Sequence, residues 1–345
     1  MRKKQIIIII ISLLCTCSLS LWAEIPSGYY SGVSQKTTPS AVLEALHSII
    51  DEHTVIGYKQ LDSTYYKKTD LDENGKIWDM YSNCGFAPTQ AGGNQNKVCD
   101  CWNKEHSVPQ SWFGEESPMV SDLFHLVPTD ARVNNLRSNY PYGEVDGANG
   151  TGITKDNNKK ALGKLGANTF PGYDGKVFEP VDEYKGDFAR IYFYMATRYL
   201  TTKLNSSEGN IVFTYTSQTT GLTTYAVNLF LKWHRQDPVS VKEIKRNEAV
   251  YGIQHNRNPF VDYPYMAEFI WGTEKNNRVD FSRQISSSDP RFVPGESNGY
   301  WDDTITDIDE TAIPSSAKAE KILLNGQLFI LRDGVRYDLT GQAVD

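Results

Sequence analysis

Between Lys104 and Tyr142 the chain reads KEHSVPQSWFGEESPMVSDLFHLVPTDARVNNLRSNYPY, and no other stretch restricts the fold as much. Its second half, Thr129 to Tyr140, has helical spacing, with Thr129 as the expected cap and Pro141 as the stop. Val133, Leu136 and Tyr140 would form the buried face of that helix, and Asp130, Asn134, Arg137 and Ser138 the polar one. Upstream, Glu105 and His106 are adjacent on a stretch read as extended, where neighbouring side chains diverge. The expected local fold is therefore a strand carrying an acid and a base, followed by a short polar helix.

Those residue types suit one chemistry. Phosphodiester hydrolysis near neutral pH needs a base to activate water and a group to stabilise charge on the phosphate and the leaving oxygen. A neutral His106 can be the base. Glu105 offers a hard oxygen to Mg²⁺, an ion that takes one or two protein ligands and keeps several waters. Asn134 would add a neutral ligand from the helix, and Arg137, on the same polar face, would hold a phosphate oxygen. The plainer alternative makes Glu105 and His106 a surface dipeptide and Asn134 a helix-surface residue.

The 345-residue chain is 39% hydrophobic, enough for one large core or two modest ones. Residues 1–23 read as a cleaved export signal, with a basic start, an apolar run from Ile6 and Ala23 before Glu24; an uncleaved anchor is the alternative. Of the five cysteines, Cys84, Cys99 and Cys101 remain after the signal, and in an oxidising compartment Cys84 would pair with Cys99 or Cys101. A zinc site from Cys99, Cys101 and His106 is the rival, but it has no visible fourth ligand. The net charge of −7 argues at first against a polyanionic partner. Lys plus Arg against Asp plus Glu is 9 to 10 over 1–100, 18 to 17 over 101–260 and 8 to 15 over 261–345, so the excess acid is C-terminal. Two basic clusters, Lys155/Lys159/Lys160/Lys164 and Lys242/Lys245/Arg246 with Arg257, are candidate phosphate tracks if the fold brings them to His106.

Helices are expected within 29–57 (SAVLEALHSIIDEH), over Gly186–Leu200, over Ala226–Gln236 and over VKEIKRNEAVYGIQ. In the second of these Phe188, Ile191, Tyr192, Met195 and Tyr199 form the core stripe, with Arg190 and Arg198 off it. Residues 70–79 imitate a calcium loop, but Tyr81 stands where a bidentate Glu is needed, so a turn is expected. Loops at 91–97 and 147–158 suit exposed segments, and 256–265 reads as a turn-rich loop. An acidic linker, 301–317, precedes a small β module at 318–345 with two or three strands broken by Asn-Gly, Asp-Gly and Thr-Gly.

Taken together, Lys104-Glu105-His106, Val108 to Phe113, Asp122 to Leu126, Pro128 to Asp130, Val133-Asn134-Asn135 and Arg137 to Tyr140 closely resemble the endonuclease I family of secreted and periplasmic nucleases. The likeness extends upstream through Trp78 to Ser82 and downstream through KGDFARIYFYMATRY and QHNRNPFVDYP, covering about residues 50–272. It implies an α+β fold, a mixed α/β nuclease domain at 24–300 around a ββα-metal (His-Me finger) core. It also implies cleavage of DNA, often RNA too, with little sequence preference, by one divalent ion, leaving 5'-phosphate ends. By position His106 matches the general base, Glu105 the first metal ligand and Asn134 the helical one. Phe124 stands where many members have His, and with no Arg between His106 and Arg132 the family's phosphate-holding Arg finds no match; Arg137 is assigned from helix geometry. The tail more loosely resembles the sorting tails of proteins exported by Bacteroidetes-type bacteria, with an extra hairpin on the nuclease domain as the alternative. The resulting expectation is a monomeric, secreted or periplasmic, surface-associated or free nuclease using Mg²⁺, or Mn²⁺ or Ca²⁺ in its place. The alternatives are an inactive module binding nucleic acid or polysaccharide, and a thiol hydrolase using Cys99 or Cys101.

Overall fold

The computed structural model describes residues 24–299 apart from 93–95, 148–150, 153–162, 203, 205 and 215–219, together with the strands of the C-terminal segment. The chain divides into two compact units, one ending at Asn298 and the other beginning at Gly299. No described helix is long and apolar enough to cross a membrane.

The first unit is α+β. Helix α1 (Pro39–Ile50) starts where Thr38 accepts a hydrogen bond from the Ala41 amide at 3.3 Å and Pro39 presets the first turn, and it buries Val42, Leu43, Leu46 and Ile50. Strands β1 (Trp102–His106) and β2 (Leu126–Asp130) pair antiparallel, with Glu105 opposite Val127 and His106 opposite Leu126. Helix α2 (Ala131–Arg137) follows β2 without a loop and packs on both strands. A small antiparallel sheet, β3 (Thr151–Gly152), β4 (Lys164–Ala167) and β5 (Lys176–Glu179), lies beyond it in sequence.

Helix α3 (Lys185–Arg198) is the centre of this unit, since all fourteen of its residues are buried. The apolar stripe packs as expected. Arg190, expected off it, is fully buried as well, because its guanidinium pairs with Glu243 at 2.8 Å. Glu243 belongs to α5 (Val241–Gln254), which opens on a capping box between Ser240 and Glu243. Between them runs α4 (Thr224–Gln236), against which α3 makes its main packing. Gly186 is required at the start of α3: a Cβ there would lie 1.9 Å from the Asp237 carbonyl oxygen.

Two expectations change here and a third holds. The 256–265 segment is a buried structural knot, in which Asn258 caps a short helix, Pro259–Asp262, and Arg257 pairs with Asp262 at 2.7 Å. Pro259 starts this helix inside the segment read as a turn-rich loop, since its missing N–H falls at a first-turn position. Three of the four cations in the basic cluster at 242–257 are committed to ion pairs and form no phosphate track: Lys242 pairs with Asp187, Arg246 with Asp70 and Arg257 with Asp262 and Glu248, all buried but Glu248, while Lys245 lies outside the groove of His106. Finally, the 70–79 segment is the expected turn, in which Asp72 accepts hydrogen bonds from the amides of Asn74 and Lys76. Lys155, Lys159, Lys160 and most of the two Gly/Asn-rich loops lie outside the described residues.

The second unit is a four-stranded antiparallel sheet in sequence order, β6 (Ala319–Leu324), β7 (Gln327–Arg332), β8 (Val335–Tyr337) and β9 (Ala343–Val344). The two-residue gaps after β6 and β7 hold Asn325-Gly326 and Asp333-Gly334, the pairs that favour tight hairpin turns. The third pair, Thr340-Gly341, separates one strand more than expected, and the 301–317 linker lies outside the described residues.

Candidate active site

Strand β1, strand β2 and helix α2 form one strand-strand-helix unit, in which Asp130, Glu105, His106, Asn134 and Arg137 each have a hydrogen-bond partner within the protein. The helix begins at Asp130, not at Thr129, which stays in β2. Asp130 Oδ1 accepts from the amides of Arg132 and Val133, at 2.8 and 3.0 Å, and Oδ2 from the amide of Cys99 at 2.7 Å. The Asp130 amide in turn donates to Asp79 Oδ1 at 2.9 Å, and Ser82 donates to the other Asp79 oxygen. Burial pushes the Asp79 carboxyl up to about 7.

The cysteine pairing follows from this unit. Cys84 and Cys99 are joined, 5.3 Å apart at Cα, beside Asp130. Cys101 is buried at the entrance to β1, where its carbonyl accepts from the Ala131 amide at 3.0 Å, and lies outside the disulfide. The bridge closes a 15-residue separation, so a Cys84→Ser/Cys99→Ser double variant is expected to lose about 3 kcal/mol of stability, read from thermal melting against the oxidised parent. The zinc reading fails because Cys99 is disulfide-bonded. Cys84, Cys99 and Asp130 do come within 4.8 Å of one another, but the bridge occupies both sulfurs and three amides occupy the carboxylate.

His106 is 6% exposed. Its Nε2 lies 3.0 Å from the Val120 carbonyl oxygen, in the long connection between β1 and β2. A carbonyl can only accept, so Nε2 carries the proton and the lone pair is on Nδ1. Tyr58 stacks on the ring at 5.7 Å and 17°, and His125 packs 5.5 Å away. Burial, with His125 next in weight, pulls the His106 pKa down to about 3, so the imidazole is neutral across the physiological range.

The connection that supplies the Val120 carbonyl is itself anchored. Asp122 accepts from Tyr194 and Tyr199, both at 2.9 Å, and from Gln254 at 3.0 Å, while Arg246 donates to the carbonyls of Leu123 and Leu126. Phe124 is core, packed on Tyr194 at 4.5 Å, and His125 is fully buried with Nε2 on the Met119 carbonyl at 2.6 Å.

Glu105 is 3% exposed and points to the other side of β1. Its Oε1 accepts from Tyr81 Oη and from Arg137 Nη1, each at 2.8 Å. Burial pushes its carboxyl up to about 7 against the opposing pull of Arg137 and Tyr81. The second oxygen, Oε2, accepts no hydrogen bond among the described residues. Asn134 Nδ2 donates to the Lys104 carbonyl at 3.0 Å, which fixes the orientation of the amide and leaves Oδ1 likewise without a protein donor among the described residues.

Arg137 overturns the expectation drawn from helix geometry. It is 0% exposed, and its guanidinium donates to Glu105, to the His106 carbonyl at 3.0 Å and to the Ser107 carbonyl at 2.7 Å, over the ring of Tyr142 at 4.8 Å. It braces the end of β1 from behind instead of facing solvent with a phosphate. Tyr81 and Tyr142, whose hydroxyls are 2.7 Å apart, and Tyr192, which donates to the Ser107 carbonyl at 2.6 Å, complete this buried network. Residue types alone did not disclose those tyrosines as supports, although Tyr81 lies in the upstream stretch of the resemblance.

Glu105, His106 and Asn134 line one open groove of about 470 Å³ with Tyr58, Lys104, Gln110 and Asn139 among its other walls. Residues 38–265 match the endonuclease I family. The chain belongs to that family. It is 36% identical over 254 residues to the extracellular ribonuclease of Bacillus amyloliquefaciens, a span covering 70% of this chain and 78% of that one. To the periplasmic deoxyribonuclease of Aeromonas hydrophila it is 24% identical over 226 residues, 59% of this chain and 80% of that one. This endonuclease I member is therefore a hydrolytic nuclease with nucleic acid as its substrate, from a family that implies a divalent metal. The donor set fits such an ion: one carboxylate oxygen and one neutral amide oxygen, both without protein donors among the described residues, open on the same groove.

Proposed function

We propose that this chain is a secreted, monomeric endonuclease that cleaves DNA and RNA with little sequence preference, with His106 as general base and Glu105 and Asn134 as metal ligands, leaving 5'-phosphate ends. The single observation that carries the reading is the hydrogen bond from His106 Nε2 to the Val120 carbonyl. It dictates the tautomer, and the depressed pKa keeps Nδ1 unprotonated, so a water at Nδ1 gives up its proton as it attacks the phosphate. Glu105 and His106 diverge from β1, so base and metal ligand reach the phosphate from different sides, as in-line attack requires. When bound, the divalent ion, Mg²⁺ with Mn²⁺ or Ca²⁺ as alternatives, supplies a Lewis acid for the phosphate and the departing 3'-oxygen. Arg137 holds the Glu105 carboxylate and the β1 carbonyls in place from the protein side. The strand-strand-helix unit is, on this reading, the ββα-metal core.

Action on RNA is included because the relatives at 35% and 36% identity are named extracellular ribonucleases, whereas those named deoxyribonucleases are 23% and 24% identical. Extracellular and periplasmic relatives support export, with residues 1–23 as the signal and 318–345 as a sorting tail. The test is a digestion series with supercoiled plasmid DNA and with structured RNA, in Mg²⁺ and in EDTA. Expected are cleavage of both, its loss in EDTA, and ends labelled by a kinase only after phosphatase treatment; no cleavage of either in Mg²⁺ or Mn²⁺ rejects the reading. In Asn134→Ala the Mg²⁺ concentration for half-maximal rate is expected to rise by about tenfold or more, read from a metal titration.

A further inference from the structure

Helix α2 ends on Ser138, whose backbone torsions are φ 55° and ψ −131°. Glycine enters that region freely, whereas a Cβ makes it strained. The Ser138 amide donates to the Asn134 carbonyl at 3.0 Å and the Tyr140 amide to the Arg137 carbonyl at 3.3 Å, which makes Ser138 the first central residue of a tight turn of type II′. Glycine is the residue such a position favours. The strain falls on the active groove: Ser138 is exposed and lines it one helical turn beyond Asn134. Its hydroxyl has one protein partner among the described residues, the Asn139 side-chain oxygen at 3.5 Å, the far limit of a hydrogen bond. What serine supplies in place of glycine is therefore one hydroxyl at the groove wall, of which the fold makes little use.

We propose that Ser138 is a substrate-contacting residue whose hydroxyl donates a hydrogen bond to a backbone phosphate oxygen of the nucleic acid, on the Asn134 side of the groove. The inference deepens the nuclease reading and rests on it. A charged acceptor makes the bond stronger than the long contact to Asn139 that it replaces. Neutral donors to phosphate fix the register of a bound strand and carry no base information, so the contact serves DNA and RNA of any sequence alike. Because a hydroxyl releases no condensed counterion, the contact is also indifferent to salt. The strained turn then places the donor one turn beyond a metal ligand, and the strain is held at the site that uses it.

Two variants separate the hydroxyl from the backbone. Ser138→Gly removes both the hydroxyl and the strain; Ser138→Ala removes the hydroxyl and keeps the strain. On duplex DNA at fixed Mg²⁺ both are expected to raise KM roughly tenfold with kcat within about twofold of the parent, the pattern of a lost binding contact. As NaCl is raised from about 50 to 200 mM, the slope of log KM against log NaCl should match the parent in both, since no cation is lost. Thermal melting in EDTA should place Ser138→Gly about 2 °C or more above the parent, with no such gain in Ser138→Ala. A variant that binds worse and melts higher cannot owe its KM to a damaged fold. Parent-like KM in both variants overturns the proposal and leaves Ser138 a turn residue only. A KM raised in Ala and restored in Gly overturns it too, because the backbone and not the hydroxyl would then be at fault. A flattened salt slope, or no stability gain in Gly, also counts against it: the first reports a lost cation, the second an unstrained turn. Failure of the nuclease reading itself would show earlier and differently, as no cleavage by the parent protein in Mg²⁺.

Discussion

His106→Ala is expected to lose activity on plasmid DNA by about 10³-fold or more while the protein stays folded, because the base is removed and the groove's carboxylate, Glu105, is held by Arg137 and assigned to the metal. The same substitution has a signature in stability. In the folded protein the imidazole is held neutral, with its pKa pulled to about 3, while in the unfolded chain it takes a proton below about 6.5. The unfolded state therefore binds more protons between those values, and stability falls as pH drops through the window. From pH 7 to pH 5 this costs the parent on the order of 2 kcal/mol, and the Ala variant is spared it. Melting both proteins in EDTA at the two pH values should show the smaller acid shift in the variant. Retained cleavage in that variant would refute the assignment of the base.

Arg137→Met is expected to destabilise the protein by about 3–5 kcal/mol in the absence of any metal, since it leaves the Glu105 carboxylate buried without its cation. The cost also includes hydrogen bonds to the His106 and Ser107 carbonyls. Arg137→Lys should recover little, because an ammonium cannot span three acceptors with the geometry of a planar fork. Urea unfolding in EDTA measures this directly. A residue that gripped phosphate would behave in the opposite way, with KM raised and the unfolding midpoint unchanged, and that outcome would return Arg137 to the role its helix spacing first suggested.

The two outcomes show where local pattern is informative. The strand bearing Glu105 and His106 and the place of Asn134 were legible, because apolar spacing and residue chemistry are local properties. Helix α5 was legible to the residue from its apolar spacing after Asp237-Pro238, and the structure adds the capping box of Ser240 and Glu243 at its start. Arg137 was misread because its partner lies 32 residues away on another element, and a polar side chain in a two-turn helix reads as exposed unless that partner is known. The basic cluster at 242–257 failed for the same reason: Asp187 and Asp70, 55 and 176 residues distant, neutralise what local counting shows as a patch. Cysteine spacing left two pairings open, and only the place of Cys101 against the first turn of α2 decides between them.

Two of the groove's three chemical side chains, and their brace, share one property with evolutionary weight. His106 is set by the carbonyl of Val120, Asn134 by that of Lys104, and Arg137 by those of His106 and Ser107. Every residue presents the same carbonyl, so no point substitution at Val120 deletes the acceptor that selects the tautomer, provided the backbone path survives. A one-residue insertion or deletion between Ser107 and His125 moves that carbonyl and leaves every side chain intact. Within this connection the protein should be tolerant of changes in identity and intolerant of changes in length.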